Sequence, residues 1–164
     1  MKLYVKQKVL SLKEDFDVYD CQKKPVYHVK SKWFSIGRSM KIIDVQSGKP
    51  LVSVKQQLLS IFPTLKVYYE GHYLCSVKKT WSLFRPKYQI SRLNWRLQGN
   101  LWQHDYRLKD RKGNDLAKIH KQFLAWSDTF EMTILNQELD PVIVVAVILA
   151  IDMVMDNDSL KTSK

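Results

Sequence analysis

Cysteine, glycine and proline are all scarce in this chain of 164 residues, with two, five and five copies respectively. The two thiols, Cys21 and Cys75, are too few for a disulfide framework or a four-thiolate zinc site. They read as buried reduced thiols, which points to an intracellular, cytoplasmic protein. So little glycine and proline excludes a low-complexity or disordered chain. The opening Met1-Lys2-Leu3-Tyr4-Val5-Lys6-Gln7-Lys8 interleaves charge with apolar residues and so lacks the apolar run of a secretory signal. Catalytic patterns are missing as well: there is no G-x-S-x-G elbow, no phosphate-binding G-x-x-x-x-G-K-[ST] loop and no H-E-x-x-H pair. The four histidines, His28, His72, His104 and His120, fall on four separate segments without ligand spacing and read as surface or strand-edge residues. In His104-Asp105 the two side chains of a strand point to opposite faces, so they are not expected to act together. The expectation is therefore a protein that is not an enzyme, with no catalytic residue, no metal site and no cofactor; a small-molecule enzyme whose site is assembled from distant parts of the chain is the lesser alternative.

Acidic residues are the remaining shortage: 16, against 27 lysines and arginines, for a net charge of +11. The excess is uneven. Residues 1–130 hold 25 bases and 10 acids, whereas residues 131–164 hold two bases and six acids. Two windows contain no acid. Cys21 to Ile43 carries Lys23, Lys24, Lys30, Lys32, Arg38 and Lys41, and Gly71 to His104 carries Lys78, Lys79, Arg85, Lys87, Arg92 and Arg96. A field of this sign attracts polyanions. The last six cations are the candidate anion-binding residues.

What the chain does have is 45% hydrophobic residues, 12% of all residues being aromatic, which is ample for one core. Apolar and polar residues alternate through most of it, with turn signals every eight to twelve positions. Strand-like runs are Tyr4 to Leu10, Asp17 to Cys21, Val26 to Lys30, Met40 to Val45, Leu51 to Lys55, Leu65 to Glu70, Tyr73 to Thr80, Tyr88 to Leu93, Trp95 to Gln98, His104 to Lys109, Leu116 to Lys121 and Thr129 to Leu135. Each has one wet and one dry side, the mark of an antiparallel sheet packed on one face. About twelve such strands predict closure into a barrel, because an open sheet would leave edges exposed. A repeat supports hairpins at fixed spacing. From the glycine onward, Gly48-Lys49-Pro50-Leu51 recurs as Gly113-Asn114-Asp115-Leu116, 65 positions later. Asp44 and Asp110 precede those corners, and Asp20 opens a looser copy. These are too few carboxylates for calcium, so the repeats read as turns.

The last element departs from alternation. Asp140-Pro141 is a favourable cap and first-turn pair. Val142 to Ile151 is then apolar on every side, which predicts a helix at about 141–156 that is buried all round. As a membrane span it falls short: the 14 residues from Val142 to Met155 cover about 21 Å against a hydrocarbon slab of roughly 30 Å. Asp152 would also lie inside the slab. The expectation is thus a single domain, residues 1–157, in which a closed antiparallel barrel encloses a hydrophobic C-terminal helix. There is no transmembrane span, and residues 158–164 form a disordered tail.

Several motifs, taken in order, resemble one family: Phe34-Ser35-Ile36-Gly37, the Asp44…Gly48 and Asp110…Gly113 corners, Gly99…His104-Asp105-Tyr106, Trp126-Ser127-Asp128-Thr129-Phe130, and the apolar stretch ending Ala150-Ile151-Asp152. Over about residues 2–156 the chain resembles the LURP-one-related proteins, whose fold belongs with the Tubby C-terminal domain and the phospholipid scramblases. The resemblance implies a 12-stranded barrel around a central C-terminal helix. It also brings a link to lipids, since Tubby domains bind phosphoinositides and scramblases are lipid-linked, while plant relatives are linked to defence. It brings no catalytic set, and no Tubby head-group motif is placed on this sequence.

Two binding readings follow. In the first, a basic barrel face recognises anionic phospholipid head groups or another acidic macromolecule, with the protein cytoplasmic and peripheral at the membrane. Trp81 and Phe84, in the non-alternating segment 81–86, would then be the contact loop. In the alternative, the rings and cations of residues 78–102, among them Trp81, Phe84, Tyr88, Trp95 and Trp102, form a nucleic-acid platform. The bland arrangement puts those rings in the barrel wall and the cations outside. Along residues 102–109 it expects Trp102, His104, Tyr106 and Leu108 on one face and Gln103, Asp105, Arg107 and Lys109 on the other.

Overall fold

The computed structural model describes residues 1–8, 15–34, 37–80, 87–100, 105–123 and 127–159. The strands are β1 (Lys2–Lys8), β2 (Phe16–Tyr19), β3 (Pro25–Phe34), β4 (Gly37–Asp44), β5 (Pro50–Gln56), β6 (Thr64–Tyr69), β7 (His72–Thr80), β8 (Lys87–Ile90), β9 (Arg96–Asn100), β10 (Asp105–Lys109), β11 (Asp115–Phe123) and β12 (Ser127–Ile134), and the helix α1 (Pro141–Ser159) follows them. All twelve strands form one antiparallel sheet in the order β8-β7-β6-β5-β4-β3-β2-β1-β12-β11-β10-β9. Strands consecutive in sequence are paired throughout, except β8 and β9. β1 pairs with β12 as well as β2, from Lys2 opposite Thr133 to Lys8 opposite Ser127, and so joins the two ends of the strand series.

The period-2 pattern sets which side is dry. Met40, Val54, Val67 and Cys75 sit opposite one another across β4 to β7, all buried. The next inward row joins Leu65, Val77 and Ile90. In β10, Tyr106 and Leu108 are buried while Asp105 and Arg107 are exposed, as alternation requires; residues 101–104, including Trp102, Gln103 and His104, lie outside the described residues. Burial pushes the Cys75 thiol up to about 12, making it inert. Cys21 departs from expectation. It is exposed, because it lies in the β2–β3 turn rather than on an inward strand position.

The inward rows close on α1. Val142 and every residue from Val144 to Val154 are buried, and the helix packs against β5, β6, β7 and β12. β-branched residues cost a helix up to about 0.7 kcal/mol each. Full burial of a valine or isoleucine side chain contributes about 1.5–3 kcal/mol, so enclosure decides the conformation. Asp140 caps the first turn: its Oδ1 accepts from the Val142 amide at 3.0 Å and its carbonyl from the Ile143 amide at 3.0 Å. Its other carboxylate oxygen accepts from the Tyr69 hydroxyl at 2.8 Å, tying the helix start to β6. Near the other end, Arg38 Nη1 donates to the Met153 carbonyl at 3.2 Å. No helix among the described residues is long and apolar enough to cross a membrane.

The corners behave as turns. Asp44 Oδ2 accepts from both the amide and the hydroxyl of Ser47 at 2.7 Å, which holds its carboxyl below the usual range. Asp110 accepts from the Asn114 amide at 2.9 Å and side chain at 2.8 Å. In the looser copy, Asp20 accepts from the Gln22 and Lys24 amides, and Lys23 takes the left-handed φ of 63° that glycine takes in the other two.

The barrel is nearly closed rather than closed. No ladder joins β8 to β9, which are the two ends of the sheet order. The predicted strand from Tyr88 to Leu93 stops at Ile90, and the reason is local. The Ser91 amide donates to the Ser76 carbonyl at 2.9 Å, the two serine hydroxyls meet at 2.7 Å, and Arg92 and Asn94 adopt φ of 67° and 54°. The chain is thereby held on β7 and turned before β9 begins.

Asp140→Ala removes the cap and strands the Tyr69 hydroxyl; the expected loss is about 1–2 kcal/mol in urea denaturation. The hydrogen bond to Asp140 raises Tyr69 from 10.0 to about 12. Its contribution is complete below pH 10 and disappears as pH rises through that raised value, so Asp140→Asn should shift tyrosinate absorbance to lower pH. Gly99 has φ of 134°, and an added Cβ would lie 2.6 Å from the Asp105 carbonyl oxygen and 2.8 Å from the Tyr106 Cα. Gly99→Ala should therefore cost about 2–4 kcal/mol, because the clash is with backbone.

Candidate anion-binding face

Strand register sorts the charges around the barrel. On the side of β1 and β10–β12 cations meet acids: Lys2 reaches Glu131 at 2.7 Å, and Arg107 and Lys109 both reach Asp115 at 2.8 Å. These contacts hold Asp115 below the usual carboxylate range, Lys109 contributing most. The other side is different. β3 and β5 through β9 contain no acidic residue, and β4 has only Asp44 at its corner.

On the outer surface of that side the lysines line up. Lys30 stands opposite Lys41 across β3 and β4. A second row runs Lys32, Ser39, Lys55, Lys66, Ser76 from β3 to β7. The inward rows flanking it fix its outward direction. Lys30, Lys32, Lys41 and Lys55 are exposed and Lys66 is half-buried. None of the five enters an ion pair among the described residues, although Lys55 Nζ lies 5.7 Å over the Tyr68 ring. Opposed residues in an antiparallel pair have Cβ atoms about 4.5–5.5 Å apart, where like charges destabilise. Two such pairs are a cost that the fold carries and that no ion pair to these lysines relieves among the described residues.

The six cations singled out in the sequence do not converge on one spot. Lys87 and Arg96 do come together, on the two walls of a cleft of about 770 Å³ at the β8–β9 gap, with Tyr88, Trp95 and Thr80. Arg111, on the β10–β11 turn, completes the lining and was not among the six. Lys78 faces outward beside Thr64 and Gln89, whereas Lys79 shares the inward parity of Val77 and is half-buried opposite Tyr88. Arg92 is engaged elsewhere: its guanidinium lies 5.2 Å from the Tyr73 ring and donates to the Tyr73 carbonyl at 3.1 Å. Arg85, and with it the segment 81–86 with Trp81 and Phe84, lies outside the described residues.

Sequence reasoning passed over Lys55 and Lys66, which stand opposite each other across β5 and β6. It also passed over a histidine–carboxylate contact. His28 Nδ1 lies 2.7 Å from Asp17 Oδ1 across β2 and β3, with Asp15 at 4.0 Å from its other nitrogen. Of the rings offered as stacking platforms, Trp95 is buried and Tyr88 half-buried, while Trp81, Phe84 and Trp102 lie outside the described residues.

A twelve-stranded antiparallel barrel wrapped on a C-terminal helix, with no acidic residue on strands β3 and β5–β9, is thus the class of protein in hand. The family model described as LURP-one-related matches residues 1–152, and the chain belongs to that family. It is 35% identical over 158 residues to YxjI of Bacillus subtilis (strain 168), a protein named as uncharacterised, covering 96% of both chains. Among solved structures, it is similar to an X-ray structure of an Arabidopsis thaliana protein, with a TM-score of 0.64 and 17% identity, covering 92% of this chain and 91% of that one.

If the opposed lysines are a standing cost, Lys55→Glu should turn the pair with Lys66 into a cross-strand ion pair. The protein should then gain about 0.5 kcal/mol in chemical denaturation at low salt. Unchanged or lowered stability would contradict the assignment of strain to this row.

Proposed function

We propose that the protein is a non-enzymatic binding module that docks peripherally on anionic phospholipid surfaces through the acid-free side of its barrel. The observation that carries this reading is the outward row Lys32, Lys55 and Lys66, with Lys30 and Lys41 beside it and no carboxylate on strands β3 or β5–β9. A curved wall with several unpaired ammonium groups suits a surface of distributed charge. The gap cleft supplies what such a row lacks, a recess where Lys87, Arg96 and Arg111 surround a space of about 770 Å³, suited to the phosphate of a single head group.

Flotation with phosphatidylglycerol-containing and pure phosphatidylcholine vesicles tests the reading. Binding should require the anionic lipid and fall steeply as salt rises. Each lysine near such a surface contributes on the order of 1 kcal/mol. The triple change Lys32→Glu, Lys55→Glu, Lys66→Glu should therefore weaken binding roughly 100-fold or more, while Lys118→Glu on β11 should matter little. Equal flotation with both vesicle types removes the lipid reading. A mobility shift with single-stranded nucleic acid under those conditions would replace it by the nucleic-acid module.

A further inference from the structure

The β5–β6 connection, residues 57–63, presents the densest exposed apolar surface among the described residues. Leu59 is fully exposed, Ile61 is 93% exposed, and Leu58 and Phe62 are 52% and 38% exposed. The other exposed large hydrophobics, Met1, Val45, Tyr73 and Leu135, are scattered singly. Single exposed apolar residues are ordinary; four within five positions are not.

The turn is built rather than loose. The Gln57 amide donates to the Thr64 carbonyl at 2.8 Å, closing its base. The Ser60 hydroxyl donates to the Phe62 carbonyl at 2.6 Å, and the Thr64 hydroxyl donates to the same carbonyl at 3.0 Å. The backbone of Leu59 has φ of 59°, a left-handed conformation that disfavours a leucine. The hydrogen bonds thus hold Leu59 and Ile61 outward in a conformation no core contact rewards. Glycine or asparagine would suit that corner better if nothing received the side chain.

Charge says what receives it. The two strands that carry the tip place Lys55 and Lys66 opposite each other near its base, and Lys78 stands beside Thr64 on the next strand. An apolar point with a collar of cations and no acid matches a bilayer with anionic head groups, where the collar meets phosphate level and the point enters the acyl region. We propose that Leu58, Leu59, Ile61 and Phe62 form a membrane-inserting tip that seats the barrel on an anionic bilayer. This rests on the lipid-surface reading above and assigns it a second, uncharged half.

The test uses the full chain and phosphatidylglycerol–phosphatidylcholine vesicles. Leu59→Ser with Ile61→Ser should weaken partitioning about 10- to 100-fold. That ratio should persist between about 0.1 and 1 M salt, because apolar insertion is not screened. In a Cys21→Ser background, Ile61→Cys carrying an environment-sensitive dye should shift its emission to the blue on vesicles. Cys75 is buried and will not compete for the label. Wild-type binding with an unshifted dye and an unaffected serine variant overturns the tip while leaving the charged face standing. No vesicle binding by the wild type overturns both. A concentration-dependent dimer that the serine variant abolishes, with vesicle binding unaffected, makes the tip a self-association surface and also overturns the proposal.

Discussion

Enclosure of α1 is the constraint to which the rest of the molecule answers. A helix apolar around its whole circumference cannot rest on one sheet face, as an amphipathic helix does, so it needs a wall on all sides. Twelve strands curled around it supply that wall, and the alternation of their residues is the record of the same demand read from outside. One consequence is that the helix itself fills the space between the inward core rows. The outer surface, the turns and the gap between β8 and β9 are what such a fold presents to solvent.

The outer surface divides into two electrostatic halves. Where β1 and β10–β12 bring Lys2, Arg107 and Lys109 onto Glu131 and Asp115, the charges are consumed within the fold. Across β3–β6 they are left facing solvent and one another. Exposed ion pairs contribute little to stability, about 0–1 kcal/mol each, so the difference between the halves matters less for folding than for the long-range field. The apolar corner at residues 57–63 lies on the side where the lysines of β3–β6 stand without ion pairs among the described residues.

Much of this was legible from the residues. The twelve runs, the capped helix and the aspartate corners each arise from local rules of pleat, cap and turn, and each appears near its predicted position. The failures have a common cause in tertiary contacts. Ser91 bonding to Ser76 ends β8 early and opens the wall, and nothing in the local pattern of Tyr88 to Leu93 announces that contact. The charge windows counted lysines along the chain, whereas the structure groups them across it. Lys55 and Lys66 are 11 positions apart in sequence and directly opposed in space, while Lys78 and Lys79, adjacent in sequence, face opposite ways. Arg111 reaches the cleft because the β10–β11 turn lies near Arg96, through the pairing of Arg96 with Lys109.

The order of elements along the chain has its own consequence. The strands are synthesised first and the central rod last, so for most of translation the wall has nothing to wrap. The emerging sheet must hold its dry side in check until Val142 and its successors leave the ribosome. Until those residues are available, the inward rows of the wall lack the helix that buries them in the native fold. A translating ribosome paused just before the rod would carry a greasy half-shell, the natural substrate of a holdase chaperone.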